Sequence, residues 1–270
     1  MEIKSYTRYT LLFLTGSILF LLASCKKSNS DLLATDKPVV ESYLVPGQAL
    51  SVKVYQQKDL ADTTTYGTAI TGLSINVSDG NQTVKLTESA KGTYSYADKG
   101  FVTSGKTYTM TFTYDDVKIS ATTVMPGKPQ NFTISDSIFH VPSSINPLYA
   151  DVVRATIRWS NPDSLYHLLV FKNLDNDPYY ISYIRSNNKP SFQVNTERGS
   201  YYNLLQSSFN YYGHYQVILM RVNKEYIDIL TTNISRNSQA LVNEPTNITN
   251  GLGIFTAMQT DTLALRVTTQ

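Results

Sequence analysis

The sequence predicts an all-β protein, and three observations carry that expectation. Twenty tyrosines and many threonines favour extended backbone. Apolar residues recur at every second position in run after run, the period of a half-buried strand. Only 16% of the 270 residues are charged, well below what a coiled coil or a disordered polyelectrolyte needs. The same composition narrows the function classes. A mean hydropathy of -0.21 excludes a polytopic membrane protein. A net charge of +2, with no basic run longer than Lys26-Lys27, excludes a nucleic-acid footprint.

The elements follow in chain order. Lys4 and Arg8 precede the uncharged apolar run Leu11 to Ala23, the layout of a secretory signal. That run is shorter than the ~20 residues a membrane-spanning helix needs. Leu22-Ala23-Ser24-Cys25 resembles a bacterial lipobox, so residues 1–24 are expected to be a lipoprotein signal peptide and Cys25 the acylated first residue of the mature chain. Cys25 is the only cysteine, which leaves no intrachain disulfide and no cysteine-based metal cage. Residues 25–36 are polar and read as a lipidated tether.

Residues 37–126 read as an immunoglobulin-like β domain. Val52 and Val54, Ile75 and Val77, and Val84 and Leu86 alternate with polar neighbours, and Tyr108, Met110, Phe112 and Tyr114 are each separated by Thr. Turn signals at Asp79-Gly80-Asn81, Lys91-Gly92 and Asp115-Asp116 fall between these runs. Pro126-Gly127-Lys128-Pro129 is the strongest breaker. Residues 129–270 are then expected to form a second, fibronectin- or immunoglobulin-like β-sandwich, with strands at Val153 to Trp159, Tyr166 to Phe171, Tyr179 to Arg185 and Tyr215 to Val222. One short helix is expected after Asn223, an N-cap residue type, because Tyr226, Ile227, Leu230 and Ile234 repeat at helical spacing.

Little in the sequence points to catalysis. Gly100 to Thr107 matches the phosphate-loop pattern, but Thr107 leads into a period-two strand where a nucleotide site needs a helix N-terminus. The better reading is a turn ahead of a strand. His140, His167 and His214 have no ligand at zinc-motif spacing, so no metal is expected. Asp175-Asn176-Asp177 starts like a calcium loop, but Tyr179 and Tyr180 occupy the positions that should continue it. There is no nucleophile elbow, and no cofactor motif survives. Asp62-Thr63-Thr64, Asp136-Ser137-Ile138, Asp163-Ser164-Leu165 and Asp261-Thr262-Leu263 resemble acceptor triplets for O-glycosylation in exported Bacteroidota proteins.

Tyrosine is concentrated in the second domain, at Tyr179, Tyr180, Tyr183, Tyr201, Tyr202, Tyr211, Tyr212 and Tyr215. Its flat apolar face and polar tip suit both sugar rings and protein interfaces. Adjacent tyrosines on a strand point to opposite faces, so some of this set must be exposed. These eight residues are the candidate ligand or partner surface; Trp159 reads as a core filler.

Three segments together resemble the DUF4249 family of Bacteroidota lipoproteins: Lys37 to Leu44, the pair Gly92-Thr93-Tyr94 and Gly105-Lys106-Thr107-Tyr108, and Asn243 to Phe255. The resemblance spans nearly the whole mature chain, and Asn250-Gly251-Leu252-Gly253-Ile254-Phe255 is its most specific part. It implies an outer-membrane lipoprotein, associated in many members with TonB-dependent, SusC-like transporter barrels, with no catalytic residue to carry over. Surface-exported Bacteroidota lipoproteins usually carry acidic residues close behind the Cys; here Lys26 and Lys27 come first, leaving both faces of the outer membrane open.

The expectation is therefore a non-enzymatic, lipid-anchored binding protein. Its membrane contact would be the lipid on Cys25, its partner an outer-membrane β-barrel, and its ligand a glycan or peptide; no nucleic acid is expected. A structural or adhesive surface lipoprotein is the alternative, and an exported hydrolase ranks third.

Overall fold

A computed structural model describes residues 37–58, 63–141, 152–181, 189–234 and 245–269. The expected signal peptide (1–24), the expected tether with Cys25, and Tyr183 lie outside the described residues. Ten short strands come first: β1 (Pro38–Leu44), β2 (Leu50–Gln56), β3 (Asn76–Ser78), β4 (Thr83–Lys85), β5 (Thr87–Ala90), β6 (Thr93–Tyr96), β7 (Thr107–Tyr114), β8 (Val117–Val124), β9 (Gln130–Ile134) and β10 (Ile138–Val141). They are followed by β11 (Val153–Ser160), β12 (Tyr166–Asn173), β13 (Phe192–Asn195), β14 (Tyr201–Leu205), β15 (Gly213–Val222), helix α1 (Lys224–Ile234), β16 (Ile248–Thr249) and β17 (Leu252–Thr269). The protein is thus a β-sandwich fold with one short helix. No helix among the described residues is long and apolar enough to cross a membrane.

Local chemistry explains the hairpins. Asp115 and Asp116 both adopt positive φ, at 47° and 60°, and join β7 to β8 with Tyr114 opposite Val117. This is the left-handed two-residue turn that matches strand twist. Between β3 and β4, the Asp79 carboxylate accepts the Asn81 and Gln82 amides at 3.0 and 2.9 Å.

Two sheets sandwich the first core. In one, β17, β1, β2, β6 and β5 lie side by side; the other has the order β16-β8-β7-β3-β4. Val40, Val52, Tyr94, Tyr108, Met110, Ile119 and Phe255 meet between them. The second core lies between β14-β11-β9 and the run β13-β12-β15-β17, where Trp159, Ile157, Phe171, Phe209, Val217 and Leu265 pack. The breaker at Pro126 to Pro129 links β8 to β9, the last strand before it and the first after it.

β17 ties the two cores together. Its residues 252–257 pair in parallel with β1, and 258–267 pair antiparallel with β15. Phe255 and Ala257 therefore belong to the first core, and Leu265 and Val267 to the second. Residues 245–257 of the expected second domain return to complete the first sandwich, and residues 37–270 form one unit. α1 lies on the outer side of this seam, where Ile227 packs with Leu168, Val222 and Met258. Covered on both faces, Ile254 to Gln259 are all buried and the alternation of the strand disappears.

Gly253 makes the parallel pairing possible. Its φ is +92°, and a Cβ there would stand 2.0 Å from the Val40 carbonyl oxygen, so any side chain would push β1 away. Asn247 brackets the same strand, its Oδ1 accepting the Phe255 amide at 3.0 Å while its Nδ2 donates to the Phe255 carbonyl at 2.7 Å. The Asn-Gly-Leu-Gly-Ile-Phe segment is thus a docking device for β1.

Candidate functional site

The end of the second sandwich where β12 finishes and β15 begins carries the tyrosine loops. Asn173 organises it: its Nδ2 donates to the Tyr212 carbonyl at 3.1 Å, and its Oδ1 accepts the Asp175 amide at 2.9 Å. The two loops are then fastened by their backbones, Tyr212 N to Tyr179 O at 2.9 Å and Ile181 N to Asn210 O at 2.8 Å. Tyr180 and Tyr211 form a single β-bridge here. The expected strand from Tyr179 reduces to this bridge within the described residues, which end at Ile181 and resume at Lys189.

The side chains sort into different environments. Tyr179 is 70% exposed and stacks on Tyr212, with centroids 6.1 Å apart and ring planes 21° from parallel. Tyr180 and Tyr211 meet edge to face at 5.0 Å. The His214 imidazole and the Asp175 carboxylate pair at 3.1 Å beside them. Tyr215 departs from the expectation: it is 2% exposed and its hydroxyl donates to the Tyr211 carbonyl at 3.0 Å. Burial pushes its phenol up to about 12. It lies on the inward register of β15 with Val217 and Leu219, packs edge-on against Phe209 at 5.0 Å, and supports the loops from beneath.

Tyr201 and Tyr202 lie elsewhere, on β14, and point to opposite faces. Tyr202 turns inward toward Phe171, with ring centroids 6.4 Å apart, and burial raises its phenol pKa. It belongs to the core margin rather than to a ligand surface. Tyr201 is 54% exposed on the outer face, with the Arg158 guanidinium 5.8 Å from its ring. The candidate surface is thus two patches, the loops bearing Tyr179, Tyr180, Tyr211 and Tyr212, and Tyr201 on the sheet. Arrangement of this kind supports binding by stacking and hydrogen bonding.

The phosphate-loop look-alike is fully engaged in structure. Lys106 Nζ is 2.5 Å from Asp79 Oδ2, and Asp79 is buried. That hydrogen bond, helped by the Gln82 and Asn81 amides, holds the Asp79 carboxyl down to about 2. The Tyr108 hydroxyl accepts the Thr103 amide at 2.7 Å and donates to the Phe101 carbonyl at 3.0 Å, while Gly105 N donates to Met125 O at 3.0 Å. The segment is a turn held against β7 and β8, and its lysine is committed to an aspartate.

One cluster escaped the sequence reading. Trp159, His167 and Arg221 share the inner face of the second sandwich, and Trp159 Nε1, His167 Nε2 and Arg221 Nε are buried with no hydrogen-bond partner among the described residues. His167 is 1% exposed, sits directly opposite Arg221 in the β12–β15 register, and lies with its ring 5.7 Å from Trp159. Its Nδ1 donates to the Leu165 carbonyl at 3.0 Å, which leaves Nε2 as the acceptor of the neutral ring. Burial, with the Arg221 charge adding to it, pushes the imidazole down to about 4. The period-two run His167, Leu169, Phe171 was the available signal. His140 is exposed beside Thr269, and no group of three His, Cys, Asp or Glu among the described residues is placed to hold a metal. Of the acceptor triplets, Ser137 lies on an exposed bend, Ser164 is exposed between β11 and β12, and Thr262 is exposed on β17, while Asp62 lies outside the described residues.

A family described as a domain of unknown function, DUF4249, matches residues 27–264. No curated protein matches the chain. Among solved structures, the chain is similar to the crystal structure of chicken CNTN1 FN1–FN3 domains, at 11% identity and a TM-score of 0.28, over 70% of this chain and 61% of that one. The chain spans about three fifths of the length of that structure. With a match that runs from the polar tether through most of β17, the chain belongs to the DUF4249 family.

Proposed function

We propose that this protein is a non-catalytic, lipid-anchored binding module of the outer membrane. It offers the tyrosine loops of its second sandwich to a ligand or to a TonB-dependent, SusC-like barrel in nutrient capture. The observation that carries the reading is the Tyr179–Tyr212 stack, with Tyr179 mostly exposed on a loop fastened by backbone hydrogen bonds. An aromatic held this way loses little further freedom on binding, so most of its contact area counts toward affinity. The lipobox at Leu22 to Cys25 supports the anchor.

Two experiments test the reading. Cys25→Ala is expected to move the protein out of the membrane fraction, and retention there removes the anchor. Purification of the lipidated protein in mild detergent is expected to bring a large β-barrel with it in fixed ratio, and Tyr179→Ala with Tyr212→Ala to release that barrel. A protein that purifies alone, or that hydrolyses a glycan or peptide robustly, ends the accessory reading.

A further inference from the structure

Among the described residues no element covers the outer face of the three-stranded sheet β14-β11-β9, and its side chains are arranged in rows. Tyr201, Arg158 and Thr133 stand directly across from one another on the three strands. In the next row Asn203 opposes Thr156, whose amide donates to Ser135 Oγ at 2.9 Å. The Thr156 hydroxyl donates to Asn203 Oδ1 at 3.0 Å, which leaves the Asn203 Nδ2 donors without a partner among the described residues. Beyond that row the register shifts between Val153 and Ala155, and this bulge turns both Val153 and Arg154 outward. Arg154 is held there by Gln206, itself 4% exposed, through an Nη2 to Oε1 bond of 2.9 Å.

Among the described residues, the charges on these three strands are all positive. Arg154 and Arg158 are both exposed, and neither is ion-paired among the described residues. No acidic residue occurs in β9, β11 or β14. Asp136, which follows β9, turns its Oδ1 onto its own backbone at the Ile138 amide, 2.8 Å away. Four residues of extended strand put the two arginines roughly 13 Å apart. Guanidinium groups fixed by neighbours are suited to bidentate carboxylate recognition. Between them lie a tyrosine ring and a row of hydroxyl and amide groups.

The geometry points to this face as a binding platform for an anionic, carboxylate-bearing polysaccharide. The two arginines take uronate carboxylates on successive parts of the chain, Tyr201 stacks on a sugar face, and Thr133, Thr156 and Asn203 meet the hydroxyls. An acidic protein partner fits less well, because protein interface centres are depleted in charge and built around apolar anchors, and this face has a single aromatic ring. Two arginines are also too sparse for the cation density a nucleic-acid backbone requires. The platform is separate from the tyrosine loops and does not depend on a barrel partner.

The test is affinity electrophoresis and titration of the full chain with polygalacturonate and alginate. Methyl-esterified polygalacturonate, dextran and poly-L-glutamate serve as comparisons. Wild type is expected to bind the two uronate polymers in a salt-sensitive way and to bind the methyl ester and dextran at least about tenfold more weakly, one lost charge-assisted bond. Arg154→Glu with Arg158→Glu is expected to abolish uronate binding, and Tyr201→Ala to weaken it while leaving the salt dependence in place. Arg158→Gln is the milder variant should the double substitution unfold, as judged by circular dichroism. Tyr179→Ala with Tyr212→Ala should leave uronate binding unchanged, which separates this platform from the loop surface. Absence of binding to both uronate polymers, equal binding by the arginine variants, or preference for poly-L-glutamate overturns the proposal.

Discussion

The two sandwiches treat their buried polar groups differently. In the first, Tyr94 and Tyr108 are both fully buried and both use their hydroxyls to pin a crossing loop: Tyr94 donates to the Ile70 carbonyl at 2.9 Å and accepts the Leu73 amide at 3.1 Å, and Tyr108 does the same to Phe101 and Thr103. Asp79 is buried but bonded to Lys106 and two amides. In the second, the three unpartnered buried nitrogens of the described residues gather at Trp159, His167 and Arg221, while Tyr179 and Tyr201 are turned to solvent. Satisfied polar groups mark the first sandwich as the stabilising half. The most exposed rings, Tyr179 and Tyr201, mark the second as the half where binding can be built.

Three measurements press on that contrast, beginning with the largest expected effect. Tyr108→Ala removes a fully buried ring and both loop bonds, and should cost about 3–5 kcal/mol in urea unfolding of the full chain. A loss below about 1 kcal/mol would show that the loop is held by other groups. The next concerns acid. The native His167 imidazole stays neutral to about pH 4, whereas in the unfolded chain it takes a proton near its ordinary 6.5. Stability is therefore complete above about 6.5, falls as pH drops toward 4, and levels off below, with a loss of at most about 3 kcal/mol. His167→Asn keeps a donor toward Leu165 and should flatten that window; an unchanged slope would move the acid sensitivity to other groups. The smallest effect is expected at the displayed ring: Tyr179→Ala should change stability by less than about 0.5 kcal/mol. A larger loss would make Tyr179 a packing residue and weaken its assignment as a binding one.

Residues with simple surroundings were legible from sequence, and residues serving two surroundings were not. β7 could be read directly, because Tyr108, Met110 and Phe112 face one core and the intervening threonines face outward. The helix after Asn223 was legible from spacing, although the Asn223 side chain turns to β8, where its Nδ2 donates to Thr123 Oγ1 and the Val124 carbonyl at 2.9 and 2.8 Å. β17 was not legible as a shared strand, since α1 and the first core together bury Ile254 to Gln259 on both faces and erase the alternation. The tyrosine cluster was legible as density but not as a surface. Tyr215 shares its register with Val217 and Leu219, and that placed it inside, while Arg158 opposite Tyr201 required knowledge of strand pairing.

The parallel pairing of β1 with β17 also orders events in time. Val39 is the partner of Leu252, so the first strand of the folded unit waits for the last. While the chain folds, the segment through Met125 has an exposed apolar flank where Phe255 and Ala257 will later lie. That flank stays open until residues 245–257, far later in the chain, have docked. Closing so long a loop is slow, and an unpaired strand edge is adhesive throughout the wait. The first sandwich, stabilising once complete, is therefore the half most in need of a chaperone while the chain folds.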